Sequence, residues 1–174
     1  MTHVNPIPAG YTSLTPFFVV SDGAGAISFY TSVFGAELVS RTDAPDGTVA
    51  HAELDFGHGR LQLGDANPAF GLVAPVRSGT ADTADTTDTA DTVDTADTVT
   101  HSICLYCPDV DDVVDRAVAA GATLREPVST FVTGDRFGSV LDPFGQRWAI
   151  MTRVEDVSDE EAQRRVDEWM ATQG

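Results

Sequence analysis

The sequence predicts an α+β fold: two βαβββ modules followed by a C-terminal helix. Three observations predict it. A strand-like run, a helical stretch and three further strand-like runs occur twice in the same order. Each helical stretch stops at a glycine, Gly35 and Gly121. An offset of 87 residues lays Asp22 on Asp109 and Thr15 on Ser102. A chain of 174 residues suits one typical domain or a duplicated pair of small modules.

After an N-terminal extension, residues 1–10, the first module covers residues 11–66. It opens on Thr15-Pro-Phe-Phe-Val-Val, an apolar run that reads as a buried strand. Ile27, Tyr30 and Phe34 then recur at i, i+3 and i+7, which predicts a helix, and Gly35 suits the left-handed position that ends one. Strand-like runs follow at 36–41, 49–56 and 60–63. The breaks between them, Asp43-Ala-Pro-Asp-Gly47 and Gly57-His-Gly59, are rich in turn residues.

A connection over residues 67–99 carries a low-complexity tract at 80–98, with Asp at every third position. Its composition cannot bury enough apolar surface to order itself, so a disordered surface loop that tolerates deletion is expected. A calcium-binding solenoid would need glycines that the tract lacks.

The second module covers residues 100–153. Its first strand is expected over 102–107. Val110, Val113, Val114, Ala117 and Val118 form a helical apolar stripe, and strands are expected at 123–125, 137–141 and 148–151. In the last segment, residues 154–174, Ser158-Asp-Glu-Glu161 reads as a capping box. Ala162, Val166, Trp169 and Met170 predict an amphipathic helix that packs on this domain or on a partner subunit.

Charge excludes whole classes of function. The chain carries −17, and all of its ten basic residues are Arg. Removing the six Asp residues of the tract still leaves −11. Nucleic acid and anionic membrane surfaces both require clustered basic residues. No apolar run approaches a membrane span, and the N-terminus lacks a secretion signal, so a cytoplasmic protein is expected. Cys104 and Cys107 lie in one strand-like run, where i and i+3 side chains point to opposite faces too far apart for a disulfide. Two buried, reduced thiols are the expectation.

An ordered set of short motifs then stands out. It runs from Pro8-Ala-Gly-Tyr-Thr-Ser-Leu-Thr-Pro-Phe17 through Ala26-Ile-Ser-Phe-Tyr30, Val33-Phe-Gly-Ala36, Pro45-Asp-Gly47 and His51-Ala-Glu-Leu54. It continues with Asp109-Val-Asp111, Arg116-Ala117, Ala120-Gly-Ala122, Gly134-Asp-Arg-Phe-Gly138 and Asp142-Pro-Phe-Gly145. Together these resemble the vicinal oxygen chelate superfamily of glyoxalase I, bleomycin-resistance proteins and extradiol dioxygenases. The nearest likeness is to the glyoxalase-like subgroup associated with phosphonate-operon proteins. The resemblance implies a curved, mostly antiparallel eight-stranded sheet around a cavity, with helices on its convex side, and a homodimer.

The resemblance also implies four metal-ligand positions, one on the first and one on the last strand of each module. Carried over, they fall at Thr15, Gln62, Ser102 and Ala149, the last flanked by Trp148 and Ile150. Only Gln62 is a usual ligand, and His101 lies one residue from Ser102. No intact metal site is therefore expected; a divalent metal, if bound, would fall to His101 and Gln62. The residues taken as ligand-binding are Gln62, Ser102, Tyr106, Arg136 and Trp148. Arg136 suits a carboxylate or phosphate, against an alternative structural pair with Asp135 or Asp142. His51, Glu53 and Asp55 share one strand face opposite Ala52, Leu54 and Phe56, which makes His51 and Glu53 the catalytic candidates. Asp142-Pro-Phe-Gly145 reads as a structural turn, His58 as a surface turn residue and His3 as part of the unstructured N-terminus.

The favoured function is binding of a small molecule, cationic or amphipathic, without metal chemistry. The alternative is a divalent-metal-dependent lyase or dioxygenase of glyoxalase type, using His101, Gln62 and Glu53. A metal-free enzyme with His51 as base is a third reading.

Overall fold

The computed structural model describes residues 6–8, 10–76 and 99–172. The tract at 80–98 and His3 lie outside the described residues. The chain divides into two compact units, 1–98 and 99–174.

The first unit contains β1 (Phe17–Val20), α1 (Gly23–Phe34), β2 (Glu37–Asp43), β3 (Val49–Asp55) and β4 (Arg60–Asp65). The strands form a mixed sheet in the order β1-β4-β3-β2, with β1 parallel to β4 and the other neighbours antiparallel. Alternation decides the faces. Phe18, Val20, Ala52, Leu54, Leu61 and Leu63 are buried together with Ala26, Ile27, Tyr30 and Val33 of α1. The intervening strand residues point to the face without a helix.

The second unit repeats the pattern with β5 (Ile103–Tyr106), α2 (Val110–Ala119), β6 (Thr123–Thr130), β7 (Asp135–Leu141) and β8 (Arg147–Arg153). It adds α3 (Asp159–Ala171). Its sheet has the order β5-β8-β7-β6. Val110, Val113, Val114 and Ala117 of α2 are buried with Val140, Trp148 and Ile150. Among the described residues eight strands thus form two four-stranded sheets, each with one parallel and two antiparallel pairings.

The 87-residue offset holds pair by pair. Phe17 faces Gln62 as Cys104 faces Ala149, and Phe18 faces Leu63 as Leu105 faces Ile150. It extends to the helix starts. Asp22 and Asp109 are the N-caps, accepting from Gly25 N and Asp112 N. From the last strand, Asp65 accepts from Gly23 N at 2.6 Å and Val49 N at 2.6 Å. At the matching position Thr152 Oγ1 accepts from Val110 N at 2.9 Å and donates to Cys107 O at 2.9 Å. Two different side chains thus tie the same helix end to the same strand.

Several expectations change. β6 runs on to Thr130 through Pro127, because it is an outer strand with register shifts between Leu124, Glu126 and Ser129, where a proline need not donate to a ladder. β2, the other outer strand, is also irregular twice, at Leu38/Ser40 and Thr42/Asp43, and all seven of its residues are exposed. β7 begins at Asp135, two residues early, behind Gly134. That glycine has φ 96°, and a Cβ there would lie 2.4 Å from Glu155 O. The cysteines are free but not both buried: Cys104 is exposed because β5 is an outer strand, and Cys107 is half-buried just past its end. No residue of α3 is buried. Trp169 meets Phe131 edge-on at 5.4 Å, and Arg165 bonds Glu155 and Val132 O. Ser158 Oγ accepts from Glu161 N, as a capping box requires, while the Glu161 carboxylate accepts from Arg164 and Arg165. Among the described residues no helix is long and apolar enough to cross a membrane.

Candidate functional site

On the helix-free face of the first sheet, one rung reads Phe17, Gln62, Glu53, Ser40 across β1, β4, β3 and β2. His51 and Asp55 flank Glu53 along β3, and Arg60 lies opposite Asp55. Sequence alternation predicts this face, because Ala52 and Leu54, between the polar residues, are fully buried on the other side.

These side chains form one connected group. Gln62 Nε2 donates to Glu53 Oε1 at 3.3 Å, Arg60 Nε to Asp55 Oδ2 at 3.4 Å, and Arg60 Nη1 lies 3.8 Å from Glu53 Oε2. The Phe17 ring lies 6.0 Å from that of His51. Gly10 and Tyr11, just ahead of β1, close over the group. The Arg60 guanidinium sits 4.5 Å above the Tyr11 ring, a cation–π contact. Gly10 has φ 84°, and a Cβ on it would lie 2.6 Å from Arg60 Nη2. The Tyr11 hydroxyl is sealed from solvent beside the Glu53 carboxylate, short of a well-aligned hydrogen bond. That hydroxyl, with smaller contributions from His51, Ser40 and Arg60, outweighs burial and holds Glu53 below the usual carboxylate range. Tyr11 was not among the residues the sequence singled out. Its only signal is its place in the motif Pro8 to Phe17.

In the second unit the matching rung reads Cys104, Ala149, Ser139, Glu126. Ser139 is fully buried and donates to Glu126 Oε2 at 2.5 Å; Arg147 Nη2 donates to the same oxygen at 2.7 Å. Ser139 first, then Arg147, hold Glu126 below its ordinary pKa. Tyr106 lies on this helix-free face and is exposed.

Other predicted residues stand elsewhere. Trp148 is 1% exposed on the α2 side and donates Nε1–H to Asp142 Oδ2 at 2.9 Å, so its indole is packing material and not ligand surface. Arg136 forms a two-bond pair with Asp111 of α2, at 2.6 Å and 2.6 Å, rather than with Asp135 or Asp142. Its side belongs to Gly138 and Val140, which face α2. Asp142 is fully buried and accepts from Phe144 N and Gln146 N, which fixes the turn. His58 is exposed in its turn. Ser102 is exposed just ahead of β5, 3.5 Å from Arg147 O. His101 shares its side with Ile103 and lies 3.2 Å from Gln146 Oε1.

The four implied metal positions can now be read by register. The strands begin at Phe17 and Ile103, so the residues opposite Gln62 and Ala149 are Phe17 and Cys104, one pleat beyond Thr15 and Ser102. Phe17 and Ala149 have no donor atom, and a thiol suits softer ions than Gln62 does. Among the described residues no three His, Cys, Asp or Glu side chains come together as a metal-holding group. The residues present do not fit a four-ligand divalent site.

The duplicated βαβββ units, each with a polar helix-free sheet face, define the class. The sequence signature of the Glyoxalase/Bleomycin resistance protein/Dioxygenase superfamily matches residues 10–150, and the chain belongs to that superfamily. An uncharacterized protein of Mycobacterium bovis is 33% identical over 155 residues, covering 87% of this chain and 90% of its own. TioX from Micromonospora sp. ML1 superposes with a TM-score of 0.56 at 23% identity, covering 82% of this chain and 98% of that one. A PhnB protein from Bacillus cereus does so with 0.56 at 21%, covering 81% and 99%. These two structures share the fold with this chain.

Proposed function

We propose that this chain binds a small organic cation on the helix-free face of its first unit and does so without a resident metal. One observation carries the reading: the carboxylates of Glu53 and Asp55 share that face with the Arg60 guanidinium, with the Phe17 ring against His51 and the Tyr11 ring against Arg60. A carboxylate pair in excess over its counter-charge favours a positive group, and aromatic edges favour an apolar body attached to it. The metal positions occupied by Phe17 and Ala149 support binding over metal chemistry.

Native mass spectrometry of the full chain against a panel of cationic glycopeptides tests this. Adducts are expected with the natural sequence, and about tenfold weaker binding with the double substitution Glu53→Gln, Asp55→Asn. No adduct at any ionic strength would overturn the reading. Elemental analysis after chelator-free purification is expected to find less than about 0.1 metal per chain. Near one metal per chain would turn the reading to a divalent-metal lyase or dioxygenase.

A further inference from the structure

The same three chemical groups meet on the helix-free face of both sheets: a hydroxyl and a carboxylate paired on one rung, and a guanidinium from the rung beside it. In the first unit the hydroxyl is Ser40 of β2, the carboxylate Glu53 of β3 and the guanidinium Arg60 of β4. In the second the carboxylate is Glu126 of the outer strand β6, the hydroxyl Ser139 of the inner strand β7 and the guanidinium Arg147 of β8. Hydroxyl and carboxylate have exchanged strands, so simple persistence of one residue pattern does not account for the recurrence.

The second cluster is pinned through one atom. Ser139 Oγ and Arg147 Nη2 both donate to Glu126 Oε2, and Arg147 Nη2 also reaches Ser139 Oγ at 3.4 Å. Among the described residues Glu126 Oε1 and the Arg147 Nε and Nη1 groups make no further hydrogen bond, on side chains 46% and 36% exposed. An acceptor and a fork of donors therefore stand side by side in fixed positions. Ala149, next to Arg147 on the same face of β8, shares the rung of Ser139 and Glu126 and adds only a methyl group there. The next rung, Tyr106, Met151 and Phe137, supplies an apolar and aromatic border.

We infer that the second unit carries a subsite for an aromatic or apolar carboxamide, assigned to Glu126, Arg147 and the Tyr106–Phe137 border. The amide N–H donates to Glu126 Oε1 while the amide oxygen accepts from Arg147. A bare cation gains little here, because the cluster's charges already balance. This inference rests on the reading that the helix-free faces bind ligands, but it assigns the second unit a different chemistry from the first.

The test is a 1H–15N correlation titration of the full chain with benzamide, and with benzylamine and benzoate as comparators. Saturable benzamide shifts are expected at the backbone amides of Glu126, Ser139, Ala149 and Tyr106, with benzylamine and benzoate at least about tenfold weaker there. Glu126→Gln is expected to weaken benzamide about tenfold and leave shifts in the first unit unchanged. Ser139→Ala, which unpins Glu126 without removing it, is expected to weaken benzamide less than Glu126→Gln does. Equal binding of benzylamine at these amides would overturn the carboxamide assignment. Shifts confined to the first unit would overturn the second subsite while leaving the proposed function standing. No shift in either unit with any probe would overturn both.

Discussion

Asp142 shows how much one buried side chain decides. Its carboxylate accepts from two turn amides and from the Trp148 indole, all at 2.8–2.9 Å, with no exposure to water. Asp142→Ala strands these donors, and a loss of about 3 kcal/mol in chemical denaturation is expected. At Glu53 the matter is charge. Its folded pKa lies below the ordinary value, so its contribution to stability is complete above the unfolded pKa and fades as pH falls through the folded one. Tyr11→Phe removes the leading cause, and the Glu53 carboxyl is expected to titrate closer to the ordinary range by carbon-detected NMR. At this scale the sequence told part of the site. His51, Glu53 and Asp55 were legible because strict alternation with buried Ala52 and Leu54 leaves one choice of face. Tyr11 was not, because it acts from ahead of the strand, where no periodicity applies.

Helices and strands owe their placement to ties that pattern alone does not reveal. Asp65 and Thr152 hold the starts of α1 and α2 from the ends of β4 and β8. Asp65→Ala and Thr152→Val are each expected to cost about 1–3 kcal/mol in urea denaturation, Asp65 the more, because a carboxylate with two short bonds is lost. α3 is held by charge instead. Arg164 and Arg165 pull the Glu161 pKa down to about 2, so its contribution to stability is complete above the ordinary Glu value and is lost as pH falls through about 2. Arg165→Ala is expected to free the helix and leave Trp169 open to acrylamide quenching while Trp148 stays shielded. Sequence spacing identified all three helices and the 87-residue repeat. It missed the Glu126–Ser139–Arg147 cluster because β6 changes register twice, and pairing across an irregular strand is a tertiary fact. It did not anticipate the partners of Trp148 and Arg136 for a related reason: β8 and β7 carry these side chains on their α2 side, where Asp142 and Asp111 receive them.

Across the whole chain the acidic composition governs behaviour in solution. The net charge of −17 and a pI near 4.2 set a solubility minimum expected close to pH 4, which turbidity against pH would show. Two similar modules on one chain also carry a hazard: during synthesis a strand of one can zip onto the rim of the other. Each sheet has two rims. One is a strand of only four residues, β1 or β5, and the other, β2 or β6, slips register twice. Neither kind of rim offers a straight run of amides long enough to capture a sibling. Short and irregular rims are thus expected to favour pairing within each half over pairing between halves that share one element order.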